Sequence, residues 1–176
     1  MSMNFFDVCA ARYSHRSKFT GAPVPKADLE KIVLAGTQAP SGCNGQTTYF
    51  TVVTSPELLA ELTTILDSDA IRTAQAIFVV STEKRTYNFG GDYNLDFEIE
   101  DYASAIQNML LATTALGYAT CWYDGGTRIW GADEKIAKIC NIPANRQVRT
   151  LLPIGVPETV GKQAGRKPIE ERVNWL

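Results

Sequence analysis

The chain contains a single histidine, His15, and its four cysteines (Cys9, Cys43, Cys121 and Cys140) fall in no CxxC spacing. A structural zinc centre draws its ligands from such clusters, so none is expected. No apolar run approaches the roughly 18 residues a membrane-spanning helix requires. The first residues, Met1 to Phe6, lack the basic stretch and apolar segment of a secretion signal. The expectation is therefore a cytoplasmic protein with free, mostly buried thiols and no membrane partner. An excess of either sign of charge is lacking too. A formal net charge of −2 leaves no electrostatic footprint for nucleic acid or an acidic membrane surface. Internal repeats, low-complexity tracts, linkers and the glycine fingerprint of a Rossmann site are also missing.

What is present suits one globular domain over residues 1–176, with 45% apolar and 20% charged residues. From Pro25, Leu29, Ile32, Val33 and Gly36 recur at helical spacing. Tyr49–Val53 reads as a strand. Ser55-Pro56-Glu57 then supplies an N-cap, a first-turn proline and an early acid for a helix carrying Leu58, Leu59, Leu62, Ile65 and Leu66. Ala76–Ser81 reads as a strand buried on both faces. Lys84–Leu95, with Gly90-Gly91, reads as a loop. A long helix follows over Ile99–Leu116, ended by Gly117. Tyr118–Tyr123 is a strand, Asp124-Gly125-Gly126 a sharp turn, Ala132–Cys140 a helix and Arg149–Gly155 a strand. The polar stretch Pro157–Leu176 has no helical period and needs a surface to pack on, which points to a second subunit.

Three groups of residues carry chemistry. Arg12, Ser14 and Arg16 alternate with Tyr13 and His15, so in an extended segment they share one face. Two guanidiniums and a hydroxyl converging on one point suit a phosphate dianion; the plainer alternative is a solvated basic patch. Pro40-Ser41-Gly42-Cys43-Asn44 is a loop by composition. Asp124-Gly125-Gly126 follows an apolar strand, so its amides can approach a planar ring without side-chain bulk, or it is simply a turn.

Four segments in order resemble the signature regions of the nitroreductase family: Arg12-Tyr13-Ser14-His15-Arg16, Ala39 to Gln46, Cys121 to Gly126, and Arg166-Lys167-Pro168. The resemblance spans nearly the whole chain. It implies an α+β fold, with a mostly antiparallel sheet of four to five strands, flanking helices and a C-terminal tail crossing to a homodimer partner. It implies FMN as cofactor and hydride transfer from NADH or NADPH to an organic acceptor such as a nitroaromatic or quinone. On this resemblance Arg12, Tyr13, Ser14 and Arg16 bind the FMN phosphate, and Arg166 closes on it. Pro40 and Ser41, with Asn44, reach the other subunit's flavin. Asp124-Gly125 presents a backbone N–H to flavin N5. Arg72 lies beside the N1–O2 edge, or is only a helix-end arginine, and Asp69 faces the pyrimidine ring. The chain departs from the family pattern where Gln46 is followed by Thr47 in place of the usual proline, and where Ser17 is an extra residue. Two rival readings remain. One is a non-enzymatic FMN carrier or redox sensor, and the other a cysteine hydrolase pairing Cys43 with His15.

Overall fold

The computed structural model describes residues 3–176, so Met1 and Ser2, part of the Met1–Phe6 stretch weighed as a leader, lie outside the described residues. The first helix, α1 (Phe5–Ala11), starts where the Asn4 side chain accepts a hydrogen bond from the Asp7 amide. Helix α2 (Lys26–Thr37) buries Leu29, Ile32 and Gly36 at the spacing read from the sequence. Strand β1 (Thr48–Val53) leads to α3 (Pro56–Thr63), which opens on the Ser55 cap with Pro56 in its first turn. Ile65 and Leu66 lie beyond the helix and still pack on its core. A single-turn helix α4 (Asp69–Arg72), capped by Ser68, precedes strand β2 (Ala76–Glu83).

Ile77 and Val79 of β2 point to one side and Ala76, Phe78 and Val80 to the other, and all five are buried. That double burial explains why β2 shows no polar alternation. On one side they meet Leu62, Ile71 and Ile136 from α3, α4 and α6 (Ala132–Ile139). On the other they meet Ile32, Ile106 and Met109 from α2 and α5 (Glu98–Ala115). The result is a sheet between two helical layers. Including β5 (Ala119–Thr120) and β6 (Arg146–Gly155), it is four-stranded in the order β1-β2-β6-β5, with antiparallel neighbours. The α+β expectation and its antiparallel sheet are borne out.

Several boundaries differ from the expectation. Lys84–Leu95 is not a plain loop. Within it and just after it, Thr86–Asn88 (β3) and Asn94–Asp96 (β4) pair as a hairpin, turned by Gly90 and Gly91 at φ +102 and +56. Its strands are short and mostly exposed, so no apolar period marks them. Tyr118–Tyr123 contracts to the two residues of β5, with Tyr123 making an isolated bridge to Leu151. Strand β6 begins at Arg146, three residues before the expected Arg149, because Val148, Gln147 and Arg146 continue the pairing past a bulge at Val80/Ser81. Asp124-Gly125-Gly126 opens a 3-10 turn over Gly125–Arg128. Only Ile169–Glu171 of the tail is regular, again as a 3-10 turn. No helix among the described residues is long and apolar enough to cross a membrane.

Candidate functional site

The segment after α1 runs extended along the free side of β5. Ser14 bridges Thr120 in parallel and the His15 amide donates to the Thr120 carbonyl at 2.9 Å. Extended backbone alternates its side chains. His15 turns inward, 3% exposed, its ring 4.7 Å from that of Phe19 and 5.9 Å from that of Tyr13. Ser14 and Arg16 turn outward, and Arg12 is half-buried. The thiol of Cys121, next after β5, reports what gathers there. Burial pushes its pKa up, while Arg16, Ser14 and Arg12 all act on it in the opposite direction. Arg12, Ser14 and Arg16 thus come from one extended segment that pairs with β5 at Thr120. Among the described residues neither arginine makes an ion pair. The Thr120 Oγ1 and Tyr13 hydroxyl are buried nearby without a hydrogen-bond partner.

The next residues on this edge continue the cluster. The Tyr123 hydroxyl meets Ser68 Oγ at 3.0 Å. Burial raises the Tyr123 pKa, Ser68 and Arg16 oppose it, and Cys121 and Asp69 add to it. Asp69 follows Ser68 in the chain, and its carboxylate is engaged, accepting from Arg72 Nη2 at 2.5 Å while Asp67 takes the other guanidinium nitrogen. Arg72 is exposed, and the two aspartates raise its pKa further. The carboxylate of Asp124 is likewise occupied. It takes Arg128 Nε at 2.6 Å and Nη2 at 2.7 Å, and that Nη2 also donates to the Tyr102 hydroxyl at 2.8 Å. This leaves the turn's function to its backbone. Gly125 is exposed, and a Cβ added there meets nothing within 4 Å.

The start of the tail packs on this edge. The Glu158 amide donates to the Lys18 carbonyl, Pro157 bridges Phe19, and Gly161 lies against the Tyr13 ring where a Cβ would collide. Gln163 Nε2 then donates to the Cys9 and Arg12 carbonyls at 3.1 and 3.0 Å. Three residues on, a reach of about 10 Å, Arg166 is exposed, with its guanidinium on the Ala164 and Gly165 carbonyls.

Pro40, Ser41 and Asn44 do not join this cluster. Their loop leads into β1, at the opposite edge of the four-stranded sheet. Three strand spacings, roughly 14 Å, separate the edges. The same separation removes the Cys43–His15 dyad. His15 Nε2 is held by the Lys18 carbonyl at 3.1 Å, and Cys43 is exposed on the far loop. Of the four thiols only Cys121 is fully buried, while Cys9 and Cys140 are half-buried, so the expectation of mostly buried cysteines is too strong. Burial lifts the Cys140 pKa to about 11. A separate cleft of about 720 Å³, lined in part by Lys84, Glu98, Lys138 and Arg149, contains none of the expected site residues. The sequence reading missed Arg128, although its spacing of four from Asp124 is a familiar helical pair. It also missed Cys121 and Ser68 as members of the cluster, which only the fold assembles.

The α+β layering and the four-stranded antiparallel sheet agree with the family that the signature segments resemble. The comparison with family models agrees: the nitroreductase family matches residues 9–68 and 63–156, and the chain belongs to that family. A Bacillus subtilis protein, YodC, bearing the name NAD(P)H nitroreductase, is 26% identical over 207 aligned positions, covering 98% of this chain and 99% of its own. An Archaeoglobus fulgidus protein with the name NADH dehydrogenase/NAD(P)H nitroreductase is 26% identical over 83% of both chains. Among solved structures, a nitroreductase of Desulfovibrio desulfuricans in complex with FMN superposes with a TM-score of 0.80 at 25% identity, covering 98% of this chain and 96% of its own. The Vibrio harveyi NADPH:FMN oxidoreductase, complexed with NAD+, gives a TM-score of 0.80 at 22% identity, over 98% and 77% of the two chains.

Proposed function

We propose that the protein is an FMN-dependent oxidoreductase passing hydride from NADH or NADPH to a nitroaromatic or quinone-like acceptor, as a homodimer whose two sites are each shared between subunits. The observation that carries the reading is that Arg12, Ser14 and Arg16 share the extended segment paired with β5 at Thr120, with both guanidiniums free of carboxylates among the described residues. A phosphate there gains charge-assisted bonds contributing about 1.5–3 kcal/mol each. The residues fit FMN: an anion cradle, orphaned hydroxyls at Thr120 and Tyr13, and an uncovered glycine turn one strand-end away.

Bound FMN would supply the hydride-exchanging ring, and the protein's part is binding, orientation and electrostatics. Arg12, Ser14 and Arg16 hold the phosphate beside Tyr13, and Arg166 closes over it from the docked tail. The Gly125 amide would donate to the ring's N5, from a turn braced by the Asp124–Arg128 pair. Asp69 and Arg72 face the ring's pyrimidine end. Asp67 and Asp69 already balance the Arg72 charge, so that cation acts at the N1–O2 edge only to the extent that it turns away from Asp67. Pro40, Ser41 and Asn44 come from the partner, consistent with their distance from this chain's own cradle.

The exposed apolar residues of the tail and of α1 support the dimer. Phe5, Phe6, Ile169, Val173, Trp175 and Leu176 all lie open on one chain. Burying each would stabilise by about 1.5–3 kcal/mol, more than enough to hold the tail on a partner. The reading puts the protein in the cytoplasm, where reduced nicotinamides are made and thiols stay reduced.

The test is anaerobic mixing of the FMN-loaded protein with NADH or NADPH. The flavin absorbance should bleach, and a quinone or nitroaromatic should restore it. Flavin that dithionite reduces but neither nucleotide does would favour the carrier or sensor reading.

A further inference from the structure

The loop between α2 and β1 is held by a residue that neither the sequence motif nor the proposed chemistry singles out. Asp101, in the first turn of α5, is 4% exposed. Its Oδ1 accepts the Gly42 amide at 2.7 Å and its Oδ2 accepts the Thr47 hydroxyl at 2.6 Å, so one carboxylate ties both ends of the loop. No cation pairs with it among the described residues. Burying a carboxylate is costly unless hydrogen bonds replace its water, and these two bonds do so here.

Between those ties the backbone is strained. Cys43, Asn44 and Gln46 hold φ of 51°, 52° and 51°, a left-handed conformation rare for residues other than glycine. Such strain persists only where the surroundings over-determine it. Here they do. The Gln46 amide donates to Ser41 Oγ at 3.0 Å and Arg85 donates to the Gly45 carbonyl at 3.3 Å. Gly42 and Gly45 lie so close to Phe97 and the Tyr87 hydroxyl that a Cβ at either would overlap them. Thr47 is consistent with the same design, since a proline would disfavour the left-handed conformation before it and would lack the hydroxyl that reaches Asp101.

We infer that Asp101 is the positioning residue for the Ser41 loop, with Thr47 its second tie, and that the pair fixes how this subunit presents Ser41 and Asn44 to its partner's FMN. The inference rests on the proposed shared site.

The experiment measures FMN and riboflavin affinity of full-length variants. Thr47→Val keeps the side-chain volume and removes the hydroxyl, and Asp101→Asn sets an amide N–H against a donor. Each should weaken both ligands about tenfold, by equal factors, because the loop touches the ring and not the phosphate. Thr47→Ser should bind as the parent does. Co-expressed mixed dimers then test position. An Asp101→Asn subunit paired with an Arg12→Ala subunit puts both defects in one site, so it should bind one FMN per dimer at parental affinity. Unchanged affinity in Thr47→Val and Asp101→Asn overturns the anchor, and so does a mixed dimer with no parental site. An Arg12→Ala homodimer that loses FMN and riboflavin equally overturns the phosphate reading beneath it, a result distinguishable from either.

Discussion

At the β5 edge of the sheet the half-buried Arg12 and the exposed Arg16 have no carboxylate partner among the described residues, and two hydroxyls, of Tyr13 and Thr120, lie buried and unpaired. At the β1 edge the loop from Ser41 to Thr47 answers its main polar demands within its own chain, through Asp101, Ser41 and Arg85. One edge leaves polar groups unpaired and the other uses its bonds to hold a strained backbone still. The contrast suits a site in which one subunit binds and the other presents.

The largest effect should come from separating the two edges. A chain ended after Gln163 keeps the hydrogen bonds to Cys9 and Arg12 but loses Ile169, Val173, Trp175 and Leu176. Sedimentation should show a monomer at micromolar concentration, with FMN affinity reduced at least a hundredfold. A truncated dimer that binds FMN normally would show that the edges meet without the tail.

Removing one side of the contrast comes next. Arg12→Ala should weaken FMN by about 1.5–3 kcal/mol, or ten- to a hundredfold, with a smaller loss for riboflavin, which lacks the phosphate. Isothermal titration with both ligands decides the matter, and equal losses would assign the arginine to the fold.

Arg72→Ala should do less. Asp67 and Asp69 already offset that charge, so FMN should stay bound while bleaching by NADH slows about threefold in stopped flow. A rate unchanged within error would make Arg72 a purely structural partner of the two aspartates.

The last effect is local to the loop. At pH 8 Cys43 should alkylate at least tenfold faster than Cys140, whose pKa near 11 leaves almost no thiolate. Added FMN should slow Cys43 alone, as read by peptide mass mapping. Equal protection of both thiols would mean that the ligand tightens the whole fold and not the loop.

The parts of the fold legible in advance are those whose cause is local. The period of α5, the Ser55 cap and the double-sided burial of β2 are written into neighbouring residues, because an element facing a core must repeat at its own spacing. The β3–β4 hairpin has no such period, since it packs through single contacts such as Tyr87 on Phe97, at 5.8 Å between ring centroids. In the site, the alternation of Arg12, Ser14 and Arg16 was readable as a shared face, and the glycines of the 124–126 turn as room for a ring. The pairing of Asp124 with Arg128 and of Asp69 with Arg72 is also local, at spacings of four and three, but the second hold on Arg72 by Asp67 depends on how the chain folds.

The sequence by itself determined which residues line each edge, since strand periodicity, caps and turn chemistry act over a few residues. Only the tertiary structure decided that the edges lie apart, that Cys121 and Ser68 join the arginines, and that Asp101, 59 and 54 residues from its partners, grips the loop. Such contacts are set by the packing of whole layers, and no local pattern encodes them.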